Sequence, residues 1–281
     1  MDQASNTLTK PDNMPGALSR LITHPTRARA FGIHLVLSLL FFSTLVAMML
    51  LYWFPGELFF VDGGWQGLKL VAMVDLILGP ALTLILFKPG KPGLMMDMFM
   101  VAAIQIAALG YGFHTTHQQR TVAIVYAENG FNTLSAKDNQ DANQQLLELE
   151  QQPQPLPPTA MLKVPLLLTP TPSLEDGGYG KVLEDMFNGY PSPQERSDQY
   201  VSVVENHAAM RAGALGIEQL AEKGVLEVVE RALQKHSLKP ENVEFYKFQA
   251  RYASGIVLFD PQSMQIVDFI AHQKPDLLAA K

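Results

Sequence analysis

The sequence predicts an integral membrane α-helical protein, with three transmembrane helices followed by a small α+β domain. Three observations carry that expectation. Ala30 to Trp53 is a run of 24 residues without Asp, Glu, Lys or Arg. Two further apolar runs, Leu68 to Phe87 and Leu94 to Phe113, are separated by Lys88-Pro-Gly-Lys91-Pro-Gly. From Gln118 onward the chain turns polar, with 14 Lys or Arg against 21 Asp or Glu. Bulk composition decides little, since 48% hydrophobic and 17% charged residues fit an ordinary globular chain.

The first run rises about 1.5 Å per residue as a helix, enough to cross a hydrocarbon core of roughly 30 Å. It ends in Leu51-Tyr-Trp-Phe-Pro55 rather than a small-residue cleavage site, which predicts a retained anchor and not a removed signal peptide. The two Pro-Gly steps between the later runs read as a tight turn, making a transmembrane hairpin. Three regions follow: a cytoplasmic N-terminal tail over 1–29, a three-helix transmembrane region over 30–117, and a periplasmic α+β domain over 118–281.

Orientation rests on the basic residues. Lys10, Arg20, Arg27 and Arg29 precede the first span, Pro55 to Gly64 has none, and Lys88 and Lys91 sit in the hairpin turn. The N-terminus and that turn therefore face the cytoplasm, and the region after the third span lies outside it, in the periplasm of a bacterium. Lys69 opposes this, but at the end of its span a long side chain snorkels to the interface. Trp53, Phe54, Trp65, Tyr111 and Phe113 fall where an outer aromatic belt belongs.

The acidic C-terminal region is a poor match for nucleic acid, whose phosphates need clustered positive charge. With no cysteine, it has no disulfide framework. Arg120 to Ala127 reads as a strand running into a turn at Glu128-Asn129-Gly130, and Asp138 to Gln152 as a short helix. The proline-rich 153–160 and 168–173 read as extended connections. Val201 to Lys235 reads as helical, broken near Gly213 to Gly216 and at Gly224, with Val225, Val228, Val229 and Leu233 on one face. Val243 to Arg251, Gly255 to Phe259 and Met264 to Ile270 read as strands, the last two joined by a turn with Pro261 at its second position.

Ionisable groups inside spans are costly and mark functional positions, which singles out Asp75 and Asp97. Counting helical rise from Lys88 and Lys91 puts Asp75 level with Gln105, both about 20 Å in. Asp97 and Thr83 are level in the same way, roughly 8 to 9 Å in. Asp75, Gly79 and Thr83 share one helical stripe, and Gly79 lets a neighbour come close. Pro80 has no N–H for the carbonyl of Leu76, which predicts a bend and an unpaired acceptor beside Asp75. Two readings stay open: polar staples between helices, or contacts to another membrane segment. Two carboxylates in three spans make a thin relay for a proton or ion path. His114 and His117 have metal-compatible spacing without a third ligand. Glu205 and His207 read as one solvated helix turn, and Gly177-Gly-Tyr-Gly180 as a turn rather than a phosphate loop. With no nucleophile or zinc motif present, the sequence is read as non-enzymatic, without cofactor or metal.

The run Asp75-Leu-Ile-Leu-Gly79-Pro80-Ala-Leu-Thr83, the Phe87 to Gly93 turn, Asp97, Gln105, Leu109-Gly-Tyr-Gly112 and Arg120-Thr-Val-Ala-Ile-Val before Phe131 together resemble the TfpX/TfpZ-type type IV pilin accessory proteins. The resemblance covers about Ala30 to Phe131, with Arg120-Thr121 where that family often has Arg-Pro. It implies a non-catalytic inner-membrane factor that helps its cognate major pilin become displayed as fibres. Its implied partners are that pilin, the inner-membrane assembly machinery and membrane lipids. On this reading Asp97, near the cytoplasmic boundary, is expected to meet a cationic pilin N-terminus, and Asp75 to hold the bundle together. The alternative from another class is a small transport or sensing module using the intramembrane aspartates.

Overall fold

The computed structural model describes residues 26–172, 177–222 and 224–273. Most of the predicted cytoplasmic tail, with Lys10 and Arg20, lies outside the described residues, as does the region beyond 273. The chain divides into two compact units: one comprises the residues up to Phe42 with Ala72–Leu109, the other Ser43–Val71 with the chain from Gly110 on.

Three helices, α1 (Arg27–Trp53), α3 (Gly64–Leu86) and α4 (Leu94–Gln118), are long and apolar enough to cross a membrane. The short α2 (Leu58–Val61) lies between α1 and α3, in the stretch the sequence predicts as loop. Each long helix extends beyond its apolar run. Thr26 shows why at one end: its hydroxyl accepts the Arg29 N–H at 3.3 Å, so capping, rather than the last charged residue, sets where α1 begins.

Pro80 does not end α3. The helix shifts to π register over Met73–Leu78, where the Gly79 N–H reaches the Val74 carbonyl, and returns to α geometry from Gly79. A π turn is one way a helix absorbs a local register mismatch, and it often marks a functional position. Here it contains Asp75.

In the second unit, β1 (Thr121–Ala127) and β2 (Gly130–Ser135) form an antiparallel hairpin. Its turn residues Glu128 and Asn129 have φ of 50° and 62°, the left-handed pair that a two-residue hairpin turn demands. Ser135 then caps α5 (Ala136–Glu148), its hydroxyl accepting the Asp138 N–H at 3.0 Å. Next come β3 (Leu166–Leu168), α6 (Gly178–Phe187) and β4 (Val201–Ser202). Three helices follow, α7 (His207–Arg211), α8 (Ile217–Glu222) and α9 (Leu226–Lys235). The strands β5 (Glu244–Gln249), β6 (Ala253–Asp260) and β7 (Gln265–Gln273) complete the described chain.

Two sequence expectations are corrected here. Val201 opens a strand rather than a helix, because Val201 and Ser202 pair with Leu168 and Leu167; tertiary pairing overrides local pattern. Gly177-Gly-Tyr-Gly180 is a helix start, with Gly177 left-handed at φ 89° leading into α6.

The strands form one mixed sheet ordered β4-β3-β1-β2-β5-β6-β7, with parallel pairs β1–β3 and β2–β5. Its two edges approach one another: a cavity of about 390 Å³ is lined both by Val203, just past β4, and by Ile266 of β7. The apolar stripe of α9, Val229 and Leu233, packs on Phe245, Ile256, Leu258 and Ile270. A second cluster of Tyr126, Phe131, Tyr246 and Phe259 packs rings at centroid separations of 5.3 to 5.9 Å, mostly edge to face, the favoured aromatic geometry.

Asp268 of β7 ties that strand to the end of α9, accepting from His236 Nε2 at 2.7 Å and Lys235 Nζ at 3.1 Å. Burial opposes its charge, but the hydrogen bonds from His236 and Lys235 hold its carboxyl below the ordinary 3.8. A depressed folded-state pKa gives stability that is present above the unfolded value and lost as pH falls through the folded one. Wild type is therefore expected to lose more stability than Asp268→Asn on acidification below about pH 4, measured by chemical unfolding of the detergent-solubilised protein. Parallel profiles for the two proteins would contradict this role.

Candidate functional site

The first unit brings together five polar side chains from three helices. His34 and Ser38 lie one turn apart on α1, Asp75 and Thr83 two turns apart on α3, and Gln105 on α4. Ser38 Oγ donates to Asp75 Oδ1 at 3.0 Å, and His34 Nδ1 shares a 2.6 Å hydrogen bond with Thr83 Oγ1. These are two rungs between the same pair of helices, because residues four and eight apart stack on one helical face. Gly79 lies between the rungs on α3. A Cβ there would overlap the Gln105 side-chain amide and come within 3.1 Å of His34 Nε2. Gly79 thus leaves the space that the end of the Gln105 side chain fills.

The site is incompletely paired. Asp75 and Gln105 are 4% and 7% exposed, yet Asp75 Oδ2 and Gln105 Nε2 find no hydrogen-bond partner among the described residues. Both residues, with His34, Ser38 and Thr83, line an open groove of about 460 Å³ whose remaining walls are largely apolar. Buried polar atoms without partners are rare and costly. In hydrocarbon, where no water compensates, they are costlier still.

The structure therefore brings Asp75, Gly79, Thr83 and Gln105 together, as the helical-rise argument anticipates for Asp75 with Gln105. Pro80 is buried beside them at the start of the α-helical return. Asp97 is not part of the group. Instead of meeting Thr83, it accepts from Lys91 in the hairpin turn at 2.5 Å, an ion pair in which Lys91 is exposed and Asp97 half-buried. His34 and Ser38 were not singled out from sequence. Their signal is the i, i+4 spacing of two polar side chains within the uncharged run of α1.

In the second unit a further carboxylate, also not anticipated, has a structural position. Asp62, 1% exposed, accepts from Thr121 Oγ1 at 2.6 Å, Thr133 Oγ1 at 2.7 Å and the Arg251 N–H at 3.1 Å. Burial pushes its carboxyl above the ordinary value, against the pull of these hydrogen bonds. The adjacent Val61 carbonyl accepts the Tyr252 N–H at 3.0 Å. Asp62 thus fastens the segment between α2 and α3 to the strands. His207 pairs not with Glu205 but with Glu244, at 2.8 Å, where Tyr246 Oη also donates at 2.7 Å. His117 meets the edge of Trp53 and stacks on Phe113, and is linked to Arg120.

These features define a class: a chain with three helices fit to cross a bilayer, carrying a buried polar cluster, and a strand-rich α+β unit. No protein-family model matches the chain, and no solved structure matches it. It is 30% identical over 113 residues to the fimbrial assembly protein of serogroups C1 and C2 of Dichelobacter nodosus, a match covering 40% of this chain and 86% of that relative. Against the fimbrial assembly proteins of serogroups I and E1 of the same organism it is 30% and 29% identical over 132 residues, 46% of this chain. The matches to these last two span 48%, about half, of each relative's length. The chain belongs to this family of fimbrial assembly proteins.

Proposed function

We propose that this protein is a non-catalytic accessory factor of the TfpX/TfpZ type that promotes assembly of type IV pili by binding its cognate major pilin in the bacterial inner membrane. The observation that carries the reading is the 30% identity spanning 86% of a fimbrial assembly protein. The three bilayer-length helices and their incompletely paired polar groups support it, because a subunit held in the membrane before assembly is met there by a membrane-embedded partner. Arg27 and Arg29 at the start of α1 and Lys88 and Lys91 in the hairpin turn favour a cytoplasmic N-terminus and a periplasmic α+β domain. In that orientation the domain meets the pilin headgroup or the inner-membrane assembly machinery.

The test is deletion of the coding gene in its own host. Surface fibres are expected to fall to a small residue while the pilin persists in the membrane fraction, with recovery when the gene is restored. Undiminished fibres after deletion would overturn the proposal.

A further inference from the structure

We infer that the turn Ala160-Met-Leu-Lys163 of the α+β domain is a lipid-contacting turn, which sets Met161 and Leu162 into the interfacial layer of the periplasmic leaflet. This rests on the membrane-crossing orientation proposed above and gives the domain a hold on the bilayer besides its helices.

Three observations within the second unit put this turn beside the end of the first span. The Leu162 N–H donates to the Leu51 carbonyl at 2.8 Å, a partner for one of the carbonyls that a helix end leaves over. Leu162 also lines the cavity of about 390 Å³ together with Pro55 and Leu58, which follow α1. The third span ends at Gln118 and β1 begins at Thr121; β3 runs parallel to β1 with Leu166 opposite Ile124, so the chain enters β3 from the side of the spans. Counted from Ala30, the first residue after Arg29, Leu51 stands about 32 Å along its helix, at the far edge of a hydrocarbon core of roughly 30 Å.

The side chains suit lipid and not water. A bond from the Lys163 N–H to the Ala160 carbonyl at 3.1 Å closes the turn and leaves Met161 and Leu162 in its two central places, where Gly, Pro, Asn and Asp are favoured. Leu162 has a φ of 62°, a left-handed conformation unfavourable for a residue of its kind. Both side chains are more than half exposed. An exposed apolar pair at the tip of a strained turn gains nothing in water, whereas at the end of a span it is covered by lipid. Lys163, exposed beside them, has a stem long enough to keep its ammonium among the headgroup phosphates. The bilayer is the occupant because a chain that crosses at α1 has lipid at the level of Leu51 in any case. Tyr179 marks the contrast: it is as exposed as Met161, but it bonds Asn129 at 3.2 Å, past the far end of β1 and roughly 20 Å along that strand from Thr121.

Because the sequence has no cysteine, Met161→Cys, Tyr179→Cys and Ile104→Cys each carry a single nitroxide label, the last on an exposed residue midway along α4. The full-length protein is reconstituted into vesicles of phosphatidylethanolamine and phosphatidylglycerol. Electron paramagnetic resonance then reads collisions of each label with oxygen, which partitions into lipid, and with a neutral nickel chelate, which stays in water. Oxygen is expected to prevail at Met161 as at Ile104, with Met161 the shallower, about 5 to 10 Å into the headgroup and acyl boundary. Nickel is expected to prevail severalfold at Tyr179. Nickel prevailing at Met161 while Ile104 reports lipid overturns the inference and leaves the membrane-crossing reading standing. A Met161 label shielded from both reagents, hence covered by protein such as a second copy of this chain, overturns it too. If nickel prevails at Ile104 as well, the spans do not cross the bilayer and the inference falls with that reading.

Discussion

Asp62→Ala is expected to lower the unfolding free energy of the strand-rich unit by about 3 kcal/mol or more, since each buried group left unpaired costs about 1 to 3 kcal/mol. The alanine removes the common acceptor of the Thr121 and Thr133 hydroxyls and the Arg251 N–H. Thr121 is fully buried, so water does not replace the lost partner. The same change frees the segment between α2 and α3 from β1 and β2, leaving the Val61–Tyr252 backbone bond to hold it. Asp62→Asn keeps the volume and one acceptor and is expected to fall between wild type and alanine. Urea unfolding of the solubilised full-length protein, followed by near-ultraviolet circular dichroism, measures both. A cost for Asp62→Ala below about 1 kcal/mol, the size of one ordinary hydrogen bond, would show that the carboxylate is not the fastening.

Gly79→Leu is expected to be the most damaging single change in the apolar helices. Any β-carbon at this position meets the Gln105 amide, and His34 Nε2 stands next nearest. A leucine therefore drives α4 away and disturbs the His34–Thr83 rung, at about 1 to 2 kcal/mol per interhelical polar contact. Thermal unfolding in detergent is expected at a clearly lower temperature, with fibre assembly lost. Gly79→Ala is milder, because its obstacle is the end of a flexible side chain. The double variant Gly79→Ala, Gln105→Ala tests the cause: contacting residues depart from additivity, so removing the amide is expected to restore the helix stability that Gly79→Ala alone loses. A double variant as unstable as the sum of the singles would contradict the contact.

The spans were legible because a bilayer imposes length and apolarity, and the uncharged runs show both. Their ends were not, because caps such as Thr26 and continued backbone bonding carry helices into charged residues. The level of Asp75 with Gln105 followed from helical rise measured from the turn. The same arithmetic failed to predict the partner of Asp97, because depth fixes where a backbone lies, while the long Lys91 side chain reaches back to claim the carboxylate. Pro80 announced irregularity in α3, but not its form, since a bend and a π turn are both answers to one missing N–H. In the α+β unit the final hairpin was readable from Asp260 and Pro261, whose turn is closed by bonds from Gln262 N and Ser263 Oγ to the Asp260 carboxylate. Val201–Ser202, Asp62 and the Glu244 partner of His207 were not readable, because each is defined by residues distant in sequence.

The proposed function requires a physical association between this chain and the fimbrial subunit inside the membrane. Affinity isolation of the tagged protein from mildly solubilised membranes of fibre-producing cells tests it most directly. The subunit is expected to be recovered with the wild-type chain and depleted with Gly79→Leu at matched protein level. Recovery of the chain free of subunit, from membranes in which the subunit is abundant, would contradict it.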